Sequence, residues 1–294
     1  MASDLELSAM RQAITLSALG LGTTSPNPPV GCVILDRDGT VVGAGFHRRK
    51  GEPHAEAHAL NAAGGAARGG TAVVTLEPCN HVGVTPACRQ ELIDAGISRV
   101  VIAVLDPTSR GEGGASMLAA AGVEVETDVL RDEALTVLEP WLTATVRRRP
   151  YLTWAFAAEG EHQSAAEERL LLDLRANADL VIAGKLLDEG IPGHHASAHF
   201  ALPADADIDV GLSQWLSPAY EGGVRRVLVV GHEYGAAMRP HLHAVDELVV
   251  AVPRTDPSRA LEVVQSDVIP IGFRLVEFAA HADSLTARMR RLRA

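Results

Sequence analysis

The stretches HAEAHAL, residues 54–60, and TLEPCNHVGVTPAC, residues 75–88, decide the fold of the first half of this chain. Two of its three cysteines lie nine residues apart in the second stretch, downstream of a His-x-Glu. A hydrolytic zinc site takes three nitrogen or sulfur ligands and keeps a fourth position for water. His54, Cys79 and Cys88 provide such a set. Two buried cysteines and a helix-capping histidine are the simpler alternative, but His-x-Glu, a strand and Pro-Cys-x8-Cys together predict a zinc site.

Glu56 is the candidate catalytic residue of this set. It follows His54 by two positions, so it points to a different side of the same helix and can face the fourth position of the metal. A carboxylate there can take a proton from water and deliver it to a departing amine, which is general acid–base chemistry. His58 shares the face of His54, but HAEAH lacks the glutamate position of a His-Glu-x-x-His protease. We therefore expect His58 to pack rather than to bind metal.

The flanking segments alternate between helix and strand patterns. Asp38-Gly39 predicts a hairpin between the strands PPVGCVIL and VVGAGF. Thr85-Pro86 predicts the N-cap and first residue of a helix that ends at Gly96. Further helices are expected over 1–20, 54–63 and 131–146, with strands at 71–76, 98–105 and 123–129. This alternation predicts an α/β sandwich with a mostly parallel sheet.

The second half repeats the alternation and predicts a second α/β domain. Strands are expected at 151–156, 179–184, 225–231, 246–252 and 273–278, with a helix near 164–177. Residues 186–217 form a long polar stretch to which we assign no element, with His194, His195 and His199 on a surface loop. RRRP at 147–150 is interpreted as a linker and a solvated helix end, which gives domains of 1–146 and 147–294.

Charge and cysteine usage exclude several classes of function. The chain has 26 Lys and Arg against 37 Asp and Glu, a net charge of −11, and no cationic footprint for nucleic acid is evident. No apolar run approaches the length of a membrane span, and the N-terminus lacks a signal-peptide pattern. An odd, small number of cysteines argues against a disulfide framework, so a cytoplasmic location is expected.

Four motifs carry a resemblance to a known family: SPNPPVGCVI (25–34), GEPHAEAHAL (51–60), VTLEPCNHVGVTPAC (74–88) and AGISRVVIAVLDP (95–107). Over residues 1–146 the chain resembles the deaminase half of the bifunctional deaminase–reductase of riboflavin biosynthesis. The resemblance implies a cytidine-deaminase-like α/β/α sandwich, and hydrolytic deamination of a diaminopyrimidinone that carries a ribosylamino phosphate. Cys-x8-Cys separates this family from cytidine and nucleic-acid deaminases. Its zinc positions fall on His54, Cys79 and Cys88, its proton shuttle on Glu56, and its substrate contacts on Asn27, His47 and His81.

The chain departs from the family at two places near this site. The family has a lysine or arginine where this chain has Val84, and Asp-Pro-Asn-Pro where it has Asp106-Pro107-Thr108-Ser109. A basic residue would suit a phosphate group, and the cations that could compensate are Arg48, Arg49, Lys50, Arg89 and Arg110. Two interpretations stay open: family drift with the same substrate, or a paralogue acting on another aminated heterocycle.

Residues 147–294 resemble the family's reductase half, which implies a dihydrofolate-reductase-like fold, but the polar positions differ. Ala155 replaces the lysine of the first strand, Gly184-Lys185 shortens a Gly-x-Gly-Thr, and Val230-Gly231-His232 replaces Glu-Gly-Gly. Because the apolar skeleton remains while these positions are lost, we expect no reductase activity and no NADPH. The remaining role of this domain would be dimer formation, most simply of a homodimer, or shielding of the deaminase. A bifunctional enzyme and a scaffold with structural zinc are the alternatives.

Overall fold

The computed structural model describes residues 1–80, 87–109, 113–157, 165–183, 186–191, 208–231, 239–253, 272–280 and 284–292. Contacts between Cα atoms divide the chain into two compact units, Met1–Leu142 and Thr143–Ala294. The predicted boundary at 146/147 lies near the end of the helix Arg131–Arg147. Among the described residues, no helix combines the length and the apolar character that crossing a membrane requires.

The first unit is a five-stranded sheet with helices around it, as the α/β pattern predicts. In chain order its elements are α1 (Asp4–Ala18), β1 (Gly31–Leu35), β2 (Val41–Phe46), α2 (Ala55–Ala63), a 3₁₀ turn (Gly64–Ala67), β3 (Thr71–Leu76), α3 (Cys88–Asp94), β4 (Arg99–Val104), α4 (Gly113–Ala120), β5 (Glu124–Glu126) and α5 (Arg131–Arg147). The strand order is β2-β1-β3-β4-β5.

This sheet is mixed, which corrects the expectation of a mostly parallel one. Strand β1 is antiparallel to both β2 and β3, whereas β3, β4 and β5 are parallel. The predicted Asp38-Gly39 hairpin causes the first antiparallel pair, and the Asp36 side chain accepts the backbone N–H groups of Asp38 and Thr40 at 2.9 Å. Helix α2 then leads the chain past β1, so that β3 runs in the direction of β2.

Helix α2 packs unusually close to β2 because two glycines face it. A Cβ atom on Gly43 would lie 2.2 Å from the carbonyl oxygen of Ala59, and one on Gly45 would lie 2.5 Å from Cβ of His58. Only glycine leaves room for such an approach of helix backbone to strand. The alanines of α2, with Ala55 and Ala59 fully buried, complete the contact. The start of α2 is thereby held against the sheet.

Helix α1 is fixed to the sheet through a buried acidic residue, Glu6. The Ser3 hydroxyl and the Glu6 carboxylate form a capping box at the start of α1. Arg99 on β4 donates to Glu6 at 2.7 Å and also pairs with Glu124 and Glu126. Burial opposes ionisation of Glu6, but the hydrogen bond from Arg99 leads the opposing effects, and the pKa of Glu6 falls below its ordinary value.

Glu6→Gln is expected to lower the free energy of unfolding by about 1–3 kcal/mol near neutral pH. Because the pKa of Glu6 is lower in the folded state than in the unfolded state, Glu6 contributes its full stability above the unfolded-state pKa. This contribution is lost as the pH falls through the folded-state pKa. The cost of the substitution should therefore shrink between about pH 5 and about pH 3. Urea unfolding of the full chain at several pH values measures this, with the more exposed Glu124→Gln as control. A cost independent of pH would contradict the assignment.

The second unit is a seven-stranded mixed sheet in the order β11-β12-β10-β6-β9-β7-β8. Its elements are β6 (Tyr151–Ala157), α6 (Ala165–Ala176), β7 (Leu180–Ala183), β8 (Leu186–Glu189), α7 (Ile208–Glu221), β9 (Arg226–Val230), a 3₁₀ turn (Arg239–Ala244), β10 (Glu247–Pro253), β11 (Phe273–Ala280) and β12 (Ser284–Arg291). The five predicted strands and the predicted helix are present, while β8, α7 and β12 are additional.

The basic run 147–149 lies at the end of α5, where Arg147 and Arg148 are exposed, and it carries ion pairs that the interpretation as a solvated helix end did not include. Arg147 and Arg149 both pair with Asp246, whose side chain is only 3% exposed. Asp246 also accepts the backbone N–H of Leu152 at 3.0 Å. Arg148 pairs with Glu221 at 2.7 Å. The run therefore ties the entry into β6 to the start of β10.

Candidate metal centre

Three predicted ligands meet in the first unit. His54 is the N-cap of α2, Cys79 follows β3 by three residues, and Cys88 is the first residue of α3. Their donor atoms all lie within 4.8 Å of one another. His54 Nδ1 is 3.2 Å from Cys88 Sγ, and the backbone N–H of Cys88 donates to Cys79 Sγ at 3.3 Å. One imidazole nitrogen and two sulfurs are a donor set that suits zinc.

The start of α3 differs from its prediction by two residues. Its N-cap is Ala87, not Thr85, and no side-chain cap is present. Thr85 and Pro86 lie outside the described residues. Cys88 still occupies the first turn, as predicted, and its backbone and side chain both face Cys79. Hydrogen bonds from Cys88 lower the pKa of Cys79 to about 4, against the opposing effect of burial. The hydrogen bond to Cys79 is also the main cause of a raised pKa for His54. The centre therefore favours a thiolate at Cys79, whereas the hydrogen bond to Cys79 raises the pKa of Cys88.

Glu56 lies beside the ligands and is almost completely buried, with 3% of its surface exposed. It is the second residue of α2, and its carboxyl group hydrogen-bonds to the side chain of Cys88. Burial raises the pKa of Glu56 to about 7, although the nearby His54 acts in the opposite direction. A carboxyl group with a pKa near neutrality can both accept and release a proton under ordinary conditions. The position two residues after His54 thus brings a proton carrier to the ligand set.

His47 connects the ligand His54 to Asn27. The His47 ring is edge-on to the His54 ring at 5.2 Å between centroids. His47 Nδ1 lies 3.2 Å from the Pro53 carbonyl oxygen, which can only accept, so Nδ1 carries the hydrogen and Nε2 accepts from the Asn27 amide at 3.2 Å. Burial lowers the pKa of His47. The third predicted substrate contact, His81, lies outside the described residues.

Glu77 is a buried residue of this site that the sequence reasoning missed. It directly precedes Pro78-Cys79, and its carboxylate accepts the backbone N–H groups of Asp106 and Ala115, at 3.0 and 2.9 Å, and the Ser109 hydroxyl at 2.9 Å. Ser109 is one of the departures from the family pattern, and this hydrogen bond gives it a structural role. A buried acidic residue next to a metal-ligating cysteine was the available signal.

Glu77→Ala is expected to destabilise the protein by about 2–4 kcal/mol, because it leaves two backbone N–H groups and a hydroxyl without their acceptor. Glu77→Gln should destabilise the protein less, since the amide oxygen can still accept some of these hydrogen bonds. Urea unfolding of the full chain measures both effects, and Glu124→Ala, an exposed glutamate of the same unit, is the control. Equal costs at Glu77 and Glu124 would show that the network contributes nothing.

In the second unit, the position where the resemblance expects a lysine is apolar and enclosed. Ala155 on β6 is 1% exposed and packs with Val181, Leu228 and Val249. Its carbonyl oxygen accepts the backbone N–H of Gly231 at 3.1 Å. Gly184-Lys185, His232 and the histidines at 194, 195 and 199 lie outside the described residues.

Comparison with known proteins shows what the region of this site is similar to. Residues 4–104 match the family model of the cytidine and deoxycytidylate deaminase zinc-binding region. This range contains all three ligands and Glu56, so the candidate metal centre lies within the part of the first unit that is similar to this zinc-binding region.

Relatives at the level of the sequence are riboflavin biosynthesis proteins. The chain is 44% identical over 189 residues to the protein RibD of Mycobacterium tuberculosis. The aligned region covers 60% of this chain and 56% of that protein. It is 44% identical over 157 residues to RibD of Escherichia coli, covering 53% and 42%. The chain thus matches about half the length of these curated relatives. The matches confirm the predicted resemblance to the riboflavin deaminase–reductase family.

A solved structure shows that the fold extends over both units. The structure of a diaminohydroxyphosphoribosylaminopyrimidine deaminase/5-amino-6-(5-phosphoribosylamino)uracil reductase from Thermotoga maritima matches 98% of this chain and 99% of its own, with a TM-score of 0.80 and 23% identity. RibD of Acinetobacter baumannii gives a TM-score of 0.75 at 24% identity. The predicted fold, a deaminase-like domain followed by a reductase-like one, is confirmed.

Proposed function

We propose that this chain is a zinc-dependent aminohydrolase that removes an exocyclic amine from a pyrimidine. The observation that carries the proposal is the buried carboxyl group of Glu56 beside the three ligand atoms of His54, Cys79 and Cys88. A structural zinc site uses four protein ligands and needs no proton carrier. The scaffold alternative is therefore the less favoured one.

In the proposed reaction, His54, Cys79 and Cys88 would hold a zinc ion, which would supply Lewis-acid activation of the attacking water. Glu56 accepts a proton from that water as its oxygen adds to the amine-bearing ring carbon. Glu56 delivers that proton to the ring nitrogen next to this carbon, then takes the hydroxyl proton of the adduct and delivers it to the amine, so that the carbon–nitrogen bond breaks and ammonia leaves as the ring carbonyl forms. The net change consumes one water and releases one ammonia. Burial of Glu56 keeps bulk water away from this proton transfer.

Asn27 and His47 are proposed as substrate contacts. The two side chains hydrogen-bond to each other, and the His47 ring lies against the ligand His54. His47 is neutral in this arrangement, because burial lowers its pKa and its Nε2 accepts from Asn27. A neutral pair of this kind, with His47 buried and Asn27 half-buried, suits the polar edge of an uncharged heterocycle. His81 is proposed as a third contact on the family resemblance alone.

The substrate we propose is the one that the relatives indicate, a diaminopyrimidinone with a phosphoribosylamino group. For the second unit we propose the reductase-like fold without reductase activity and without NADPH, supported by the enclosed Ala155 in place of a lysine. A homodimer and a cytoplasmic location stay predictions. A paralogue with another aminated substrate and a bifunctional enzyme are the alternatives.

The test is a mass-spectrometric deamination assay on the zinc-loaded full chain. The phosphorylated riboflavin-pathway pyrimidine and its dephosphorylated form are each incubated with and without NADPH. We expect exchange of the amine for oxygen in the phosphorylated compound and no further reduction. Reduction that depends on NADPH would establish the bifunctional alternative. No exchange in either compound, with zinc bound, would overturn the substrate assignment and favour the paralogue.

A further inference from the structure

Arg89 is a cationic residue next in the chain to a ligand of the metal centre, Cys88. It follows Cys88 in the chain, and its backbone N–H donates to the carbonyl oxygen of Cys79 at 3.4 Å. The residue is half-buried. Its backbone is therefore held against the segment that carries Cys79.

The side chain of Arg89 is held only by neutral groups. Its Nε donates to the side-chain oxygen of Asn80, the residue after Cys79, and one terminal nitrogen donates to Gln90 Oε1 at 3.3 Å. Within the residues that the structure describes, no carboxylate lies within ion-pair distance of this guanidinium. Arginine has five N–H donors in a planar fork, so these two bonds orient the fork and leave donors for a further acceptor.

The other cations that the sequence offered to compensate for Val84 are differently engaged. Arg48 lies over the Phe46 ring, with its guanidinium carbon 5.9 Å from the centroid. Arg49 pairs with Glu52 at 3.2 Å. Lys50 is exposed on the following turn, and Arg110 lies outside the described residues. Arg89 thus combines a place in the chain next to a metal ligand with a charge that no described acid neutralises.

We propose that Arg89 binds an anionic group of the substrate, of the phosphate monoester class, and so determines specificity for a phosphorylated pyrimidine. The proposal rests on the proposed function. A guanidinium fork fits phosphate oxygens in a bidentate manner, and charge-assisted hydrogen bonds of this kind are among the strongest polar contacts in proteins. Asn80 and Gln90 hold the fork in place before the anion arrives, which reduces the entropic cost of binding.

Arg89→Ala is expected to lower kcat/KM for the phosphorylated pyrimidine by about 10- to 100-fold. Most of the loss should appear in KM, and kcat/KM for the dephosphorylated compound should stay unchanged. Arg89→Lys should recover part of the loss, because it keeps the charge without the fork. Arg68→Ala, at an exposed arginine before β3, is the matched control. Zinc content is measured for each variant to show that the centre is intact.

Two results would overturn the proposal. One is an equal loss for both substrates, which would give Arg89 a merely structural role. The other is a larger selective loss in Arg49→Ala, which would move the anion contact. If the wild-type chain deaminates neither compound, the proposed function fails. The anion site at Arg89 is then tested separately, by calorimetric titration of the chain with inorganic phosphate. Binding of phosphate weakened about tenfold or more in Arg89→Ala would support the anion site, and unchanged or absent binding would refute it.

Discussion

Glu56→Gln is expected to retain zinc and lower kcat by about 100- to 10,000-fold. Glutamine keeps the size and hydrogen-bonding capacity of the side chain but cannot accept and release a proton. Because Glu56 is 3% exposed and contacts Cys88, a side chain of the same shape should leave the three ligand atoms where they are. The measurement is single-turnover deamination, together with zinc content by mass spectrometry and the KM of the variant.

The control for this variant is Glu91→Gln on α3. Glu91 is also a carboxylate near the centre, and burial raises its pKa as it does for Glu56, so it tests whether any neighbouring negative charge matters. We expect Glu91→Gln to change kcat little. Full turnover in Glu56→Gln would remove the proton-transfer role of Glu56. Loss of zinc together with turnover would instead assign Glu56 to the integrity of the metal centre.

The chemistry-bearing part of the first unit could be predicted from the sequence because it depends on short-range signals. The hairpin follows from Asp38-Gly39, and helix α2 follows from Pro53 and an apolar periodicity. His54, Cys79 and Cys88 flank predicted elements, so a correct order of strands and helices already brings them to one edge of the sheet. The ligand set was therefore accessible without knowledge of tertiary contacts.

What could not be predicted depends on contacts between distant residues. Thr85-Pro86 has good capping chemistry, yet α3 begins at Cys88, where the hydrogen bond to Cys79 fixes its first turn. For Glu77 the only local signal is its place next to Cys79, because its acceptor role depends on Asp106, Ser109 and Ala115, which are distant in the chain. The helix start that local propensity predicts differs from the observed start where tertiary hydrogen bonds determine the first turn.

In the second unit, two elements of regular secondary structure could not be predicted because charged and polar residues interrupt their apolar pattern. Strand β12 carries three arginines and shows no obvious apolar alternation, but Met289 faces the core while Arg290 pairs with the buried Glu247 at 3.1 Å. Helix α7 lies at the end of the polar stretch 186–217, and its Leu212, Trp215 and Leu216 pack into the core. When apolar periodicity is judged over a window that includes polar neighbours, such segments are assigned to loops.

Cys88→Ala is expected to weaken zinc binding by more than about 100-fold, since changes in groups that only orient a metal ligand already cost about 10- to 100-fold. Cys79→Ala should have the same effect, because the two sulfurs and His54 Nδ1 form one donor set. Deamination should fall in parallel. Zinc content after dialysis against a competing chelator, and the zinc concentration needed to restore activity, measure both consequences.

Cys32→Ala is the matched control, because it removes the remaining cysteine from the chain. Cys32 lies on β1, is fully buried in the core of the first unit, and is not one of the ligand residues. Its loss should cost about 1 kcal/mol or more in stability through the cavity left behind, with zinc content unchanged. Zinc retained by Cys88→Ala, or zinc lost from Cys32→Ala, would refute the assignment of the ligands. The contrast separates a metal-binding thiolate from a cysteine that acts only as a small apolar side chain.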